Sequence, residues 1–205
     1  MRVKSVTVVL AGILLGLFST NRTFADTWGD YQYTENDGKI TITRYTGPGG
    51  DVEIPSEIAG KPVVGIGYGA FSEYISLTSV TIPSSVTSIG NAAFYGCRGL
   101  TSVKISEGVT SIGEYAFEYC TRLTSVTIPS SVTSIGRWAV CGGCSQTSVT
   151  IPEGMTSIEP AAFFACSSLT SVTIHEGVTS IGRGAFEHCH SLTSVTIPSS
   201  VTSIG

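Results

Sequence analysis

The chain has 205 residues, with 13% charged and 41% hydrophobic residues and a formal net charge of −4. That apolar fraction is enough for a packed core and excludes a disordered polyelectrolyte. The acidic surplus argues against nucleic acid and anionic lipid as partners.

Arg2 and Lys4 precede an almost unbroken apolar stretch over residues 6–18. It is too short to span a bilayer, which takes about 20 apolar residues. A polar stretch follows and ends Thr23-Phe24-Ala25, with small residues at the −3 and −1 positions. Residues 1–25 therefore read as a secretory signal peptide cleaved before Asp26, with no membrane insertion afterwards. Cleavage would remove Arg2, Lys4 and Arg22 and no acid, taking the formal charge from −4 to −7.

Residues 26–60 read as an N-terminal cap and a first, irregular coil. Tyr31 to Thr34 and Lys39 to Thr43 alternate in polarity about the turn sequence Glu35-Asn36-Asp37-Gly38, which predicts a β-hairpin. Ile54-Pro55-Ser56 echoes Ile82-Pro83-Ser84 at 28 residues, with an insertion around Ala59-Gly60-Lys61-Pro62.

Residues 61–205 repeat a unit of 23 residues. Leu77, Leu100, Leu123, Leu169 and Leu192 form one row, with Gln146 in the missing slot. Phe71, Phe94, Phe117, Phe163 and Phe186 form another, with Val140 as the exception, and Cys97, Cys120, Cys166 and Cys189 form a third. Within each unit, L-T-S-V-T-I predicts a strand with Leu, Val and Ile inward. V-T-S-I-G predicts a second short extended piece. Ala, Phe and Cys at i, i+1 and i+4 predict a short helical turn. The fold class expected is a β-rich α/β solenoid of short parallel strands and short helical turns with an N-terminal hairpin cap, stable only through stacking.

The stretch LTSVTIPSSVTSIGNAAFYGC at 77–97 resembles the BspA-type leucine-rich repeat, and the resemblance covers 61–205. It implies a curved solenoid on a secreted or cell-surface protein, with adhesion to protein or glycan partners. It implies no catalytic residues and no cofactor. Two alternatives are a spacer or scaffold segment of a longer surface protein and a targeting module of a larger enzyme. The chain stops inside a unit at Gly205, so the solenoid reads as C-terminally incomplete, open to end-to-end self-association through an uncapped edge.

Chemistry-bearing residues are sparse. Asp51 and His175 should lie about 25 Å apart, at roughly 5 Å per coil, which rules out a Ser-His-Asp triad. His188-Cys189-His190 reads as two exposed histidines flanking a buried row cysteine, and not as a metal site. The cysteine row reads as buried thiols rather than bridges. Cys141 and Cys144 lie in the irregular coil; they form a local disulfide, or Cys144 takes the row position one residue late. The Ser and Thr residues between the inward rows form an outward grid. The positions that vary between units supply a candidate contact surface of Tyr95, Arg98, Tyr115, Tyr119, Arg122, Arg137 and Trp138, a composition rich in interface-forming side chains.

Overall fold

A computed structural model describes residues 25–140 and 142–205. The leader read over 1–25, apart from Ala25, and the Cys141 half of the local disulfide lie outside the described residues.

The chain opens with an antiparallel unit, β1 (Asp26–Trp28), β2 (Tyr31–Asn36) and β3 (Lys39–Tyr45). Asp37 and Gly38 close the β2–β3 hairpin with φ of 50° and 72°. Positive φ at both positions matches the turn to the strand twist. Then come β4 (Gly50–Glu53), β5 (Glu57–Ile58) and β6 (Lys61–Ile66). The insertion folds as a small antiparallel hairpin between β5 and β6. β3 pairs in parallel with β6, so the opening hairpin covers the N-terminal edge of the coils. Lys61 donates to Glu35 across this junction.

Each later coil contributes one long and one short strand. They are β7 (Leu77–Ile82) and β8 (Ser88–Ile89), β9 (Ser102–Ile105) and β10 (Ser111–Ile112), and β11 (Ser125–Thr127) and β12 (Ser134–Ile135). β13 (Ser148–Ile151), β14 (Ser157–Ile158), β15 (Ser171–Ile174), β16 (Ser180–Ile181), β17 (Ser194–Thr196) and β18 (Ser203–Ile204) follow. Long strands pair with long and short with short, parallel and one unit apart. The result is a solenoid whose interior holds the Leu, Val, Ile, Phe and Cys rows, nearly all buried. Rings run up this interior from the cap: Tyr31, Tyr45, Phe71, Phe94 and Phe117, each 5.0–5.3 Å from the next.

The short helical turns expected from the AFxxC spacing are not there: among the described residues there is no helix. The turn segments instead take positive φ at two positions per coil. One column is Gly69, Ala92, Tyr115, Trp138, Ala161 and Gly184; the other is Glu73, Gly96, Tyr119, Gly142, Ala165 and His188. Left-handed residues every four positions cannot belong to an α-helix. Hydrogen bonding follows suit. Gly69, Phe71 and Glu73 donate to the carbonyls of Asn91, Ala93 and Tyr95 in the next coil, while Ala70, Ser72 and Tyr74 close local turns. Every second N–H thus serves the neighbouring coil, where a helix would have kept it within the segment. We call this side of the solenoid the turn ridge.

Threonines reinforce the strand side. Thr101 sends both its N–H and its hydroxyl to the Thr78 carbonyl, at 2.9 and 3.0 Å. Thr110 does the same to Thr87 at 2.8 and 3.1 Å, and both rows continue along the chain.

One junction breaks the pattern. β11 and β13 are not paired, nor are β12 and β14, so both sheets stop at coil 123–145 and restart at coil 146–168. Both threonine rows are interrupted here among the described residues. The causes are two side chains. In regular coils a glycine follows the second isoleucine, and its N–H bonds the carbonyl of the previous coil at 2.7–2.9 Å. A Cβ on Gly113 or Gly136 would lie 2.6 or 2.5 Å from that coil's backbone nitrogen. Glu159 carries a Cβ at this very position, so its coil cannot close up. Gln146, in the leucine row, is 5% exposed. Its amide nitrogen bonds the carbonyls of Val126 and Ser148 at 3.2 and 2.7 Å, bridging the two unpaired long strands. The turn ridge alone continues across the junction, through Val140 to Ala162 and Gly142 to Phe164.

Candidate functional site

The turn ridge carries most of the candidate contact residues. Tyr115 and Trp138 are successive members of the first left-handed column, and their rings lie parallel, 5.2 Å apart with 4° between planes. Tyr95 and Tyr119 meet edge to face at 5.6 Å. Arg98 stands near Tyr95, while Arg122 and Arg137 are exposed. The structure therefore joins the four aromatics and Arg98 into one patch.

The backbone makes this patch unusual. Bulky residues seldom adopt positive φ, because Cβ crowds the backbone. Tyr115, Tyr119 and Trp138 hold φ of 58°, 57° and 52°. Glycine fills the same columns at Gly69, Gly184, Gly96 and Gly142, and alanine at Ala92, Ala161 and Ala165. Large aromatics thus stand where the local backbone favours the smallest residue. The Tyr119 ring also lies across Gly142, where an added Cβ would come within 2.7 Å of it.

A groove of about 410 Å³ opens between the two columns, lined by Tyr68, Ser72, Ala92, Tyr95, Tyr115 and Glu118. Tyr68, 80% exposed, and Ser72 are not among the contact residues read from sequence. They stand at repeat positions adjoining the two left-handed columns, in the segment that precedes the first full unit at Leu77. Burial, followed by the carboxylate of Glu118, raises the Tyr95 phenol above its ordinary pKa; Arg98 opposes this. The groove is therefore aromatic-walled, with the Glu118 side chain in its lining.

The remaining features are structural. The thiols of Cys97, Cys120, Cys166 and Cys189 donate to the carbonyls of Phe71, Phe94, Val140 and Phe163, each in the preceding coil, at 2.9–3.2 Å. Cys144 occupies the same row one residue late, with its sulfur 3.9 Å from the Phe117 carbonyl. Burial pushes Cys97 and Cys144 up to about 12, which leaves them protonated and unreactive. His188 and His190 stand 5.6 Å apart, with the Cys189 thiol directed to backbone instead. Among the described residues no group of three His, Cys, Asp or Glu side chains could hold a metal ion. The outward Ser/Thr grid is divided by the β11–β13 gap, which forms a cavity of about 180 Å³ lined by Thr124, Val126, Thr127, Ile128, Gln146, Ser148 and Thr150.

Comparison with known proteins matches residues 51–143 and 139–205 to the BspA type leucine rich repeat region, in six copies. Comparison with curated proteins finds no match. Among solved structures, a T. pallidum leucine rich repeat protein is 36% identical with a TM-score of 0.83, covering 86% of this chain and 83% of its own. A leucine rich cell surface protein from Faecalibacterium prausnitzii is 35% identical with a TM-score of 0.73, covering 84% of this chain and 54% of its own. A leucine-rich repeat protein from Bacteroides ovatus is 32% identical with a TM-score of 0.77, covering 88% and 49% respectively. The chain thus spans about half the length of the last two.

Proposed function

The chain belongs to the BspA-type leucine-rich repeat family, and on that premise we propose that it is a secreted or cell-surface binding module whose contact surface is the turn ridge around Tyr95, Tyr115, Tyr119 and Trp138. Its partner is an extracellular protein or glycan. The observation that carries this reading is the placement of Tyr115, Tyr119 and Trp138 at positive φ, in columns otherwise held mostly by glycine and alanine. Tyr119 is exposed and Tyr115 and Trp138 are half-buried, and a residue kept at a backbone position that disfavours it is where local rules give way to function. Aromatics with adjacent arginines also supply most interface energy per residue. The cell-surface description of the F. prausnitzii protein agrees with the leader read at 1–25.

The test is capture of extracellular matrix proteins and glycans by the immobilised chain, compared with a Tyr115→Ala/Trp138→Ala variant. Alanine already occupies this column at Ala92 and Ala161, so the variant keeps its backbone. Binding should weaken roughly tenfold or more. Undiminished capture by the variant would remove the ridge from the contact surface. N-terminal sequencing of the exported product should begin at Asp26.

A further inference from the structure

The strand side carries a second site, independent of the turn ridge, at the junction where both sheets stop. We propose that the cleft between β11 and β13 takes the extended backbone of a protein partner, one of whose peptide N–H groups donates to Oε1 of Gln146. The starting point is an orphaned acceptor. Gln146 is 5% exposed, and its Oε1 is buried with no donor from the chain. The amide cannot be turned round to cure this. Its nitrogen lies 3.2 and 2.7 Å from the carbonyls of Val126 and Ser148, and the reverse orientation would set oxygen against both. A buried acceptor left unpaired is costly, so the site favours a ligand that brings a donor. Gln146 lines the cavity of about 180 Å³ opened by the missing strand pairing. Drug-sized ligands occupy about 300 Å³ or more, so this cleft admits one small group at a time.

The surroundings select the group. The residues that line the cleft carry hydroxyls, one amide and aliphatic carbon, and no charge. A cation entering it would find no carboxylate in the lining and would approach Lys104, which stands opposite Thr127 on β9. An anion would meet Oε1, and also the Thr124 hydroxyl, whose hydrogen is already given to the Thr101 carbonyl at 3.1 Å. A neutral donor is what remains. β11 and β13 each turn an unpaired edge to the cleft, and an extended peptide meets such edges with donors and acceptors at strand spacing. The hydroxyls of Thr127, Ser148 and Thr150 stand around the cleft as further partners for its carbonyls. Gln146 already acts as one peptide unit of the missing ladder: its N–H side is bound to both strands, and its C=O side awaits the next N–H.

The test is an NMR titration of the isotope-labelled chain with three probes. N-acetylalanine N-methylamide carries two peptide N–H groups; its fully N-methylated analogue carries none; methyl glucoside offers hydroxyls alone. The first should shift the side-chain amide of Gln146 and the backbone amides of Ser148 and Thr150, and leave Ser102 and Val103 of the intact junction in place. The N-methylated analogue should bind about tenfold more weakly, the factor expected when a buried acceptor loses its donor. Gln146→Leu puts in the row the residue held by Leu100 and Leu123; it should fold, which a thermal melt checks, and should abolish the shifts. The comparison of probes on the unmodified chain stands whether or not that variant folds. The proposal is overturned if no probe moves Gln146, which would leave its acceptor to water. It is also overturned if the N-methylated analogue or methyl glucoside binds as well as the first probe, or if Gln146→Leu responds as the unmodified chain does. Tyr115→Ala/Trp138→Ala should titrate like the unmodified chain, so this site and the ridge reading fail separately.

Discussion

The junction between coils 77–99 and 100–122 and that between coils 123–145 and 146–168 are built from the same repeat, yet they are held differently. In the first, both sheets are paired, both threonine rows are in place, and Gly96 on the turn ridge donates to Glu118 at 2.8 Å. In the second, the strand side is unpaired, and the ridge bonds lengthen to 3.1–3.3 Å, as at Val140, Gly142 and Gly143. The lesson is that a coil closes onto its neighbour only where nothing stands between their backbones. One Cβ, that of Glu159, and one buried amide, that of Gln146, are enough to open a side that the repeat pattern seals elsewhere.

The comparison can be broken most forcefully by moving the fault. Gly136→Glu would set a Cβ 2.5 Å from the Glu114 nitrogen. It should open the intact junction of coils 100–122 and 123–145 and destabilise the chain by about 2–4 kcal/mol, seen as a lower denaturation midpoint. An unchanged midpoint would mean that coils tolerate a side chain here without separating.

The reverse change should heal the faulty junction. Gln146 Oε1 is buried without a hydrogen-bond partner, a condition that costs about 1–3 kcal/mol. Gln146→Leu combined with Glu159→Gly restores the leucine row and the close approach together. The double variant should gain about 1–3 kcal/mol. It should also slow amide exchange at Val149 and Ile158. A destabilised double variant would show that the amide bridge holds the junction better than strand pairing does.

In the unmodified chain, amides of β13 and β14 should exchange faster than those of β9 and β10, by about tenfold or more, because their opening breaks fewer bonds. Hydrogen exchange read by mass spectrometry resolves this, and equal protection would refute the difference.

The smallest effect concerns a tie on the intact side. The Glu107 carboxylate accepts from the N–H groups of Ser130 and Ser131 in the next coil, and these hold it below its ordinary value of 4.5. A carboxyl lowered by folding adds stability above its unfolded pKa and loses it as pH falls through the lowered folded value. Glu107→Gln should therefore melt slightly below wild type at neutral pH. The gap should shrink below pH 4.5. A gap that persists in strong acid would show that charge is not its source.

The solenoid, its period and its inward rows were legible because each row repeats one residue type at a fixed step, and burial follows type. The helical turn was misread because apolar residues at i, i+1 and i+4 face inward in a laddered chain of turns as readily as in a helix. The contrary signal lay in the glycines of 69, 96, 142 and 184, which mark columns of positive φ rather than isolated breaks. Gln146 was legible as an exception to its row. Glu159 was equally visible as an exception to the glycine row, but its meaning depends on a backbone-to-backbone approach that no side-chain pattern encodes. At the candidate site, the aromatics were legible as variable positions. The groove was not, since it is the absence of bulk at Ala92 between Tyr68 and Tyr115 that makes it.

Residues 77–90, 123–136 and 192–205 are identical in sequence, and they stack in parallel at the same register on their neighbours. To an incoming strand, then, several docking partners look alike. A chain that loops out a whole unit and rejoins one step further on forfeits only one junction's worth of contacts, and such near-degenerate pairings are how repeat proteins go astray. What distinguishes correct counting is whatever cannot be duplicated: the hairpin that starts the ring column at Tyr31 and Tyr45, and the coil bearing Gln146 and Glu159. The cap and the fault thus serve as the two landmarks by which an otherwise monotonous chain keeps its place.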